Sequence, residues 1–93
     1  LIALPEPMRQ EYALHLATLL RPGAQLLLIT LDYDQSLKSG PPFAVFQNEV
    51  QRLFADNFEI VLLAYEDVLE ANQRFKKAGL TELNEGIYHL VRK

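Results

Sequence analysis

Between Ala24 and Asp32 the chain reads AQLLLITLD, with leucine or isoleucine on odd and even positions alike. A strand wet on one side alternates apolar and polar residues, whereas one that is apolar on both sides must be covered on both, as in a parallel sheet flanked by helices. A second run, Phe58 to Tyr65 (FEIVLLAY), reads the same way. Pro5 and Pro7 suit a helix entry, and Met8, Tyr12, Leu16, Leu19 and Leu20 follow as one apolar stripe until Arg21-Pro22-Gly23 stops it. This predicts a helix over Glu6 to Leu20. Val50, Leu53 and Phe54 mark a short helix near Gln47 to Asp56, and Asp67 to Ala78 holds another that Gly79 ends. Gly86 to Arg92 (GIYHLVR) alternates enough for a last strand, antiparallel to an existing one. Helices and strands in alternation place the chain in the α/β class.

With 93 residues, 49% hydrophobic and 23% charged, the chain is one small domain or a piece of a larger one. Its net charge is −3, and its cations are scattered apart from Lys76-Lys77, so no basic stripe exists for nucleic acid or an anionic membrane surface. Without cysteine there is no disulfide framework, thiolate metal site or cysteine nucleophile, and the apolar runs are too short to span a bilayer. This suits the cytoplasm. The chain opens on Leu1-Ile2-Ala3-Leu4 with no methionine and no basic leader, so it reads as starting within a domain and lacking a signal peptide.

In open α/β sheets ligands bind beyond the carboxyl ends of the parallel strands, which makes LDYDQSLKSGPPF, Leu31 to Phe43, a candidate ligand loop. Pro41 and Pro42 fix φ and would hold Phe43 as a rigid apolar wall for a flat ligand. The competing reading has solvated strand-end acids and a phenyl ring that plugs the core. Asp32, Asp34, Glu66 and Asp67 fit no EF-hand spacing, and His15 and His89 fit no zinc pattern, so no metal is expected. Glu49, Arg52, Glu66 and Glu70 read as ordinary helix-face and rim charges, and Arg74 as either a snorkelling or a functional arginine. There is no GxSxG, Walker loop or GxGxxG. LLLITLD is also similar to the strand that carries the phosphoacceptor of a receiver domain, with Asp32 as acceptor, but the acidic pair of an earlier strand is missing. The residues alone reach a ligand site of open chemistry.

The stretch ALPEPMRQEYALHLATLLRPGAQLLLITLDYDQSLKSGPPFAVFQNEVQRLF resembles the carboxyl-terminal part of the thiopurine S-methyltransferase family, bacterial members above all. The likeness continues through Arg74, Gly79-Leu80 and the terminal IYHL. The combination of a Leu-x-Tyr-Asp strand end with a GPPF loop and a following Glu-Val and Arg-Leu-Phe helix is more specific than either piece. The resemblance implies a class I, Rossmann-like methyltransferase of seven strands, of which residues 1–93 would form a single carboxyl-terminal half-domain. Ala24 to Asp32 would be its fifth strand, Phe58 to Tyr65 its sixth, and Gly86 to Arg92 the seventh, antiparallel between the other two. Two or three helices would accompany them.

The function implied is methyl transfer from S-adenosylmethionine to an aromatic or heterocyclic thiol. Most cofactor contacts would lie on strands one to four, so no cofactor-binding residue is assigned within this chain, and no catalytic base is either. On the substrate side Pro41 and Pro42 would wall the thiol, Arg74 would approach from the opposite side, and Phe43 and Tyr33 match by position. The chain has Ala44 where the family often has serine and Phe46 where it often has proline. An arginine near the thiol would favour the thiolate nucleophile, and an apolar wall would keep the site dry. The alternative is a non-catalytic fragment that binds no cofactor and self-associates as a homodimer through the strand edge the fourth strand would otherwise cover.

Overall fold

The computed structural model describes residues 1–93. The elements run α1 (Glu6–Leu19), β1 (Gln25–Asp32), α2 (Gln47–Phe54), β2 (Phe58–Asp67), a 3-10 turn (Leu69–Ala71), α3 (Gln73–Lys77) and β3 (Asn84–Arg92). The sheet order is β1-β3-β2, with β3 antiparallel to both neighbours, so β1 and β2 run in the same direction without touching. The α/β class, the strand order and the central antiparallel last strand are those the resemblance implies. Gly23 and Gly79 both adopt positive φ, 87° and 97°, where a side chain would be strained, and they end the segments of α1 and α3.

One face of the sheet is packed and the other is bare. Leu28, Phe58, Tyr88 and Leu90 point toward α1 and α2, where Ala13, Ala17, Val50 and Phe54 complete the core with Val45 of the intervening loop. Phe54 and Phe58 meet edge to face, centroids 5.7 Å apart and planes at 78°, an arrangement worth about 0.5–1.5 kcal/mol beyond its buried area. On the opposite face Leu27 is 58% and Val61 52% exposed, and Ile29 and Leu63 are also open to solvent. The expectation that both faces of these strands are covered is therefore not met: both helices flanking β1 lie on one side. A second small core, Tyr33, Ala44, Leu69, Phe75, Leu80 and Leu83, closes the sheet at the carboxyl ends of β1 and β2.

The side of α1 that faces the sheet also differs from the expected stripe. Arg9, Ala13 and Ala17 are buried, with Leu16 and Leu20 packed beside them, while Met8, Tyr12 and Leu19 face outward. Two alanines four residues apart let the helix sit close on the sheet, so the small residues face inward and the larger ones face out. The pairing of β2 with β3 shifts between Leu62 and Ala64, which leaves Leu63 as an extra, bulged residue.

Gly86 lies in the central strand beneath Tyr88. A Cβ there would come within 2.9 Å of both Thr30 Oγ1 and Tyr88 Cε1, and neither can withdraw from the middle of the packed face. Gly86→Ala should therefore cost about 1–3 kcal/mol by overpacking and lower the Tm of the full-length protein in a calorimetric scan. An unaltered Tm would show that the Tyr88 ring can yield.

Candidate functional site

At the end of β1 the chain turns into a loop that is tied at every step. Tyr33 is 3% exposed, and its hydroxyl donates to the Pro42 carbonyl at 2.5 Å while accepting from Gln35 Nε2 at 3.0 Å. The other end of the same Gln35 amide accepts the Ala44 N–H at 2.8 Å. The Val45 N–H donates to the Leu31 carbonyl at 2.8 Å, and the Phe43 N–H to the Ile2 carbonyl at 2.7 Å. Burial pushes the Tyr33 phenol above its ordinary range, which keeps it a donor at any physiological pH. The loop from Gly40 to Phe43 is thereby held from both sides. Pro41 is exposed and Pro42 half-buried, and the peptide bonds into both are cis. The Phe43 ring folds back so closely on Gly40 that a Cβ there would overlap it, and a larger residue would have to displace the ring.

Across from the loop, α3 docks through Phe75, whose ring meets Tyr33 edge to face with centroids 5.2 Å apart and planes at 77°. Lys38 Nζ lies 4.8 Å from the Phe75 centroid and donates to the Ser39 carbonyl at 3.3 Å. Arg74, beside Phe75, is exposed, and the ion pairs Arg9–Glu49, Arg52–Glu49 and Lys76–Glu70 leave it without a carboxylate. The structure therefore sets Pro42, Tyr33 and the helix of Arg74 around one small core. Tyr33 stands behind the prolines as a brace, with its ring turned to Phe75.

Three of the four strand-end acids, Asp32, Asp34 and Asp67, accept hydrogen bonds. Asp32 Oδ2 accepts the Tyr65 hydroxyl at 2.5 Å. Asp34 accepts both the Ser36 hydroxyl at 2.6 Å and the Ser36 amide at 3.0 Å, and these bonds hold its carboxyl below the usual carboxylate range. Asp67 Oδ1 accepts the amides of Leu69 at 2.9 Å and Leu83 at 3.3 Å, binding the 3-10 turn to the segment that enters β3. The hydrogen bond to Asp32 pushes the Tyr65 phenol up to about 12.

Glu49 is no ordinary helix-face charge. Arg9 Nη1 donates to both of its carboxylate oxygens at 2.8 Å, and Arg9 Nε donates to the Leu4 carbonyl at 3.0 Å, with the arginine side chain 4% exposed. An arginine four and eight residues ahead of two buried alanines is the signal that could have revealed it, because a guanidinium on a packed helix face needs an acid. Gln35 carries no comparable sequence signal; a glutamine two residues past a strand looks like any loop residue.

The family model for thiopurine S-methyltransferase matches residues 1–93. The chain belongs to this family. It is 53% identical over 91 residues to the thiopurine S-methyltransferase of Pseudomonas fluorescens, covering 98% of this chain and 42% of that protein. It is 47% identical to that of Azotobacter vinelandii and 52% to that of Shewanella putrefaciens, over the whole chain and 43% of each relative. The chain thus spans less than half the length of the curated relatives it matches, and it corresponds to the carboxyl-terminal part of a bacterial thiopurine S-methyltransferase.

The Asp32–Tyr65 bond makes a pH prediction. With the folded phenol near 12 and an unfolded tyrosine near 10, the unfolded chain releases its proton first. The contribution is fully present below pH 10 and is lost as pH rises toward 12. Asp32→Asn should bring the Tyr65 titration back toward 10, read from tyrosinate absorbance against a Tyr65→Phe control. A titration that stays where it was would mean that the carboxylate is not the cause.

Proposed function

We propose that this chain supplies the thiol-side half of an S-adenosylmethionine-dependent S-methyltransferase domain, with Pro41, Pro42 and Phe43 as the wall against an aromatic or heterocyclic thiol and Arg74 as the cation that favours its thiolate. The observation that carries this reading is the pairing of a loop braced by Tyr33 and Gln35 with a helix, docked on the same core, that presents an arginine without a carboxylate partner. The names of the relatives, thiopurine S-methyltransferase, support a thiol of this class as substrate.

The chemistry asks two things of these residues. Positive sulfonium and negative thiolate lose their charges together as the methyl passes between sulfurs, so a dry apolar surround favours the reaction, and prolines and a phenyl ring provide it. A guanidinium stays charged at all relevant pH and stabilises the thiolate over the thiol, directly or through one water. Thiols that are already partly ionised at neutral pH need no further base.

S-adenosylmethionine, when bound, supplies the methyl group on its sulfonium. Within residues 1–93 the strand-end aspartates already have partners, Asp32 in Tyr65, Asp34 in Ser36 and Asp67 in two backbone amides. We assign its contacts to the remainder of the full-length protein, which would also cover the bare sheet face. A second reading is favoured by that face and by the unpaired outer edges of β1 and β2. On its own the 93-residue chain would hide them by self-association, in a dimer joined at a strand edge. Sedimentation as a monomer at high concentration would remove that reading.

In the full-length enzyme Arg74→Ala should lower kcat/KM for an acidic thiopurine by about 10-fold or more, the equivalent of one charge-assisted hydrogen bond. The Tm should change little, because the side chain is exposed and unpaired. Kinetics equal to wild type would take Arg74 out of the site.

A further inference from the structure

We infer that the buried Arg9–Glu49 ion pair is a positioning pair for the thiol-side wall, setting where the segment Gly40–Phe46 stands relative to the substrate. The inference rests on the methyltransferase reading above. Glu49 sits in the first turn of α2, the helix that begins as soon as this loop ends. Arg9 is on α1, and its single guanidinium grips two separate pieces: the α2 carboxylate, through both oxygens at 2.8 Å, and the Leu4 carbonyl at 3.0 Å. The segment containing Leu4 is in turn hydrogen-bonded to the loop, Phe43 N–H to Ile2 carbonyl at 2.7 Å. Arg9 and Glu49 line the same cleft as Gln35, Phe43 and Phe46 of the loop, so the ion pair and the Phe43 wall border one space.

Stability alone does not account for an ion pair here. Two charges lose their hydration on burial, and apolar residues of similar volume commonly fill such a site with equal or greater stability. What apolar residues do not provide is direction. A planar guanidinium that holds a carboxylate through Nη1 and a backbone carbonyl through Nε fixes distance and angle between the elements, whereas a leucine–methionine contact lets them slide. In methyl transfer a displacement of about 1 Å in a positioning element can lower the rate on the order of 10²-fold.

The test is the double variant Arg9→Met/Glu49→Leu in the full-length protein, because it removes the direction and leaves no buried charge without a partner. The expected result is a Tm near wild type, a fall of about 10-fold or more in kcat/KM for a thiopurine, and an unchanged KM for S-adenosylmethionine. Arg9→Lys keeps the charge yet has one donor atom in place of the separate Nε and Nη1 that hold the Leu4 carbonyl and the Glu49 carboxylate, and it should also lose several-fold on the thiol side with the fold intact. Wild-type thiol kinetics in both variants would overturn the inference while leaving the methyltransferase reading in place. A wild-type protein that methylates no thiol would overturn that reading and this inference with it. Its separate signature is the absence of activity before any substitution is made.

Discussion

Everything in the sheet hangs on β3. Within residues 1–93, β1 and β2 have no hydrogen bond to each other, and each pairs only with β3, which slots between them antiparallel to both. The connection from β1 through α2 to β2 is thus closed into a sheet only by residues 84–92, and strand pairing along the chain is strongly non-local. The residues of β3 that face the helices are accordingly buried. Tyr88 and Leu90 are almost without exposure, and Gly86 is the one position in the strand where a missing side chain makes room for the neighbouring ring. The carboxyl ends of β1 and β2 are brought side by side by the same strand, and with them the braced loop and the helix of Arg74.

Two kinds of interaction then divide the work. The packed face of the sheet is held by apolar burial, which is non-directional and tolerant of small displacements. The loop at the strand ends is held by hydrogen bonds that are directional: Tyr33 to Pro42, Gln35 to Ala44, and Arg9 to Leu4 and Glu49. Such a division suits a site that must be accurate on a scaffold that need only be compact. It also explains how a wall can be built mostly from residues that cannot donate, since the restraint comes from polar side chains behind it.

Much of the fold was legible in the sequence, because strand and helix periods are strong signals and the stops at Gly23 and Gly79 are chemically distinct. Two features were not. The runs AQLLLITLD and FEIVLLAY announce cover on both faces, but the sequence of these residues says nothing about where that cover comes from, and α1 and α2 both lie on one side. The stripe of Met8, Tyr12 and Leu19 does not mark the packed side, because close approach of helix to sheet favours the smaller Ala13 and Ala17. At the candidate site, the proline pair stood out by type and setting, and Arg74 only through the family resemblance. Glu49 and Gln35 did not, since their importance comes from partners 40 and 9 positions away.

The bulge in β2 has a further consequence. Along β2, Phe58, Ile60 and Leu62 pair with β3 residues of the packed face, and uninterrupted alternation would send Tyr65 to the other side of the sheet. The extra residue at Leu63 changes the count by one, so that Tyr65 pairs with Gly86 on the packed side and its hydroxyl can cross over the glycine to Asp32. A one-residue insertion thus works as an address change. It leaves the strand in place, re-routes a single phenol, and so lets the tips of two strands that never pair be latched to each other over the third.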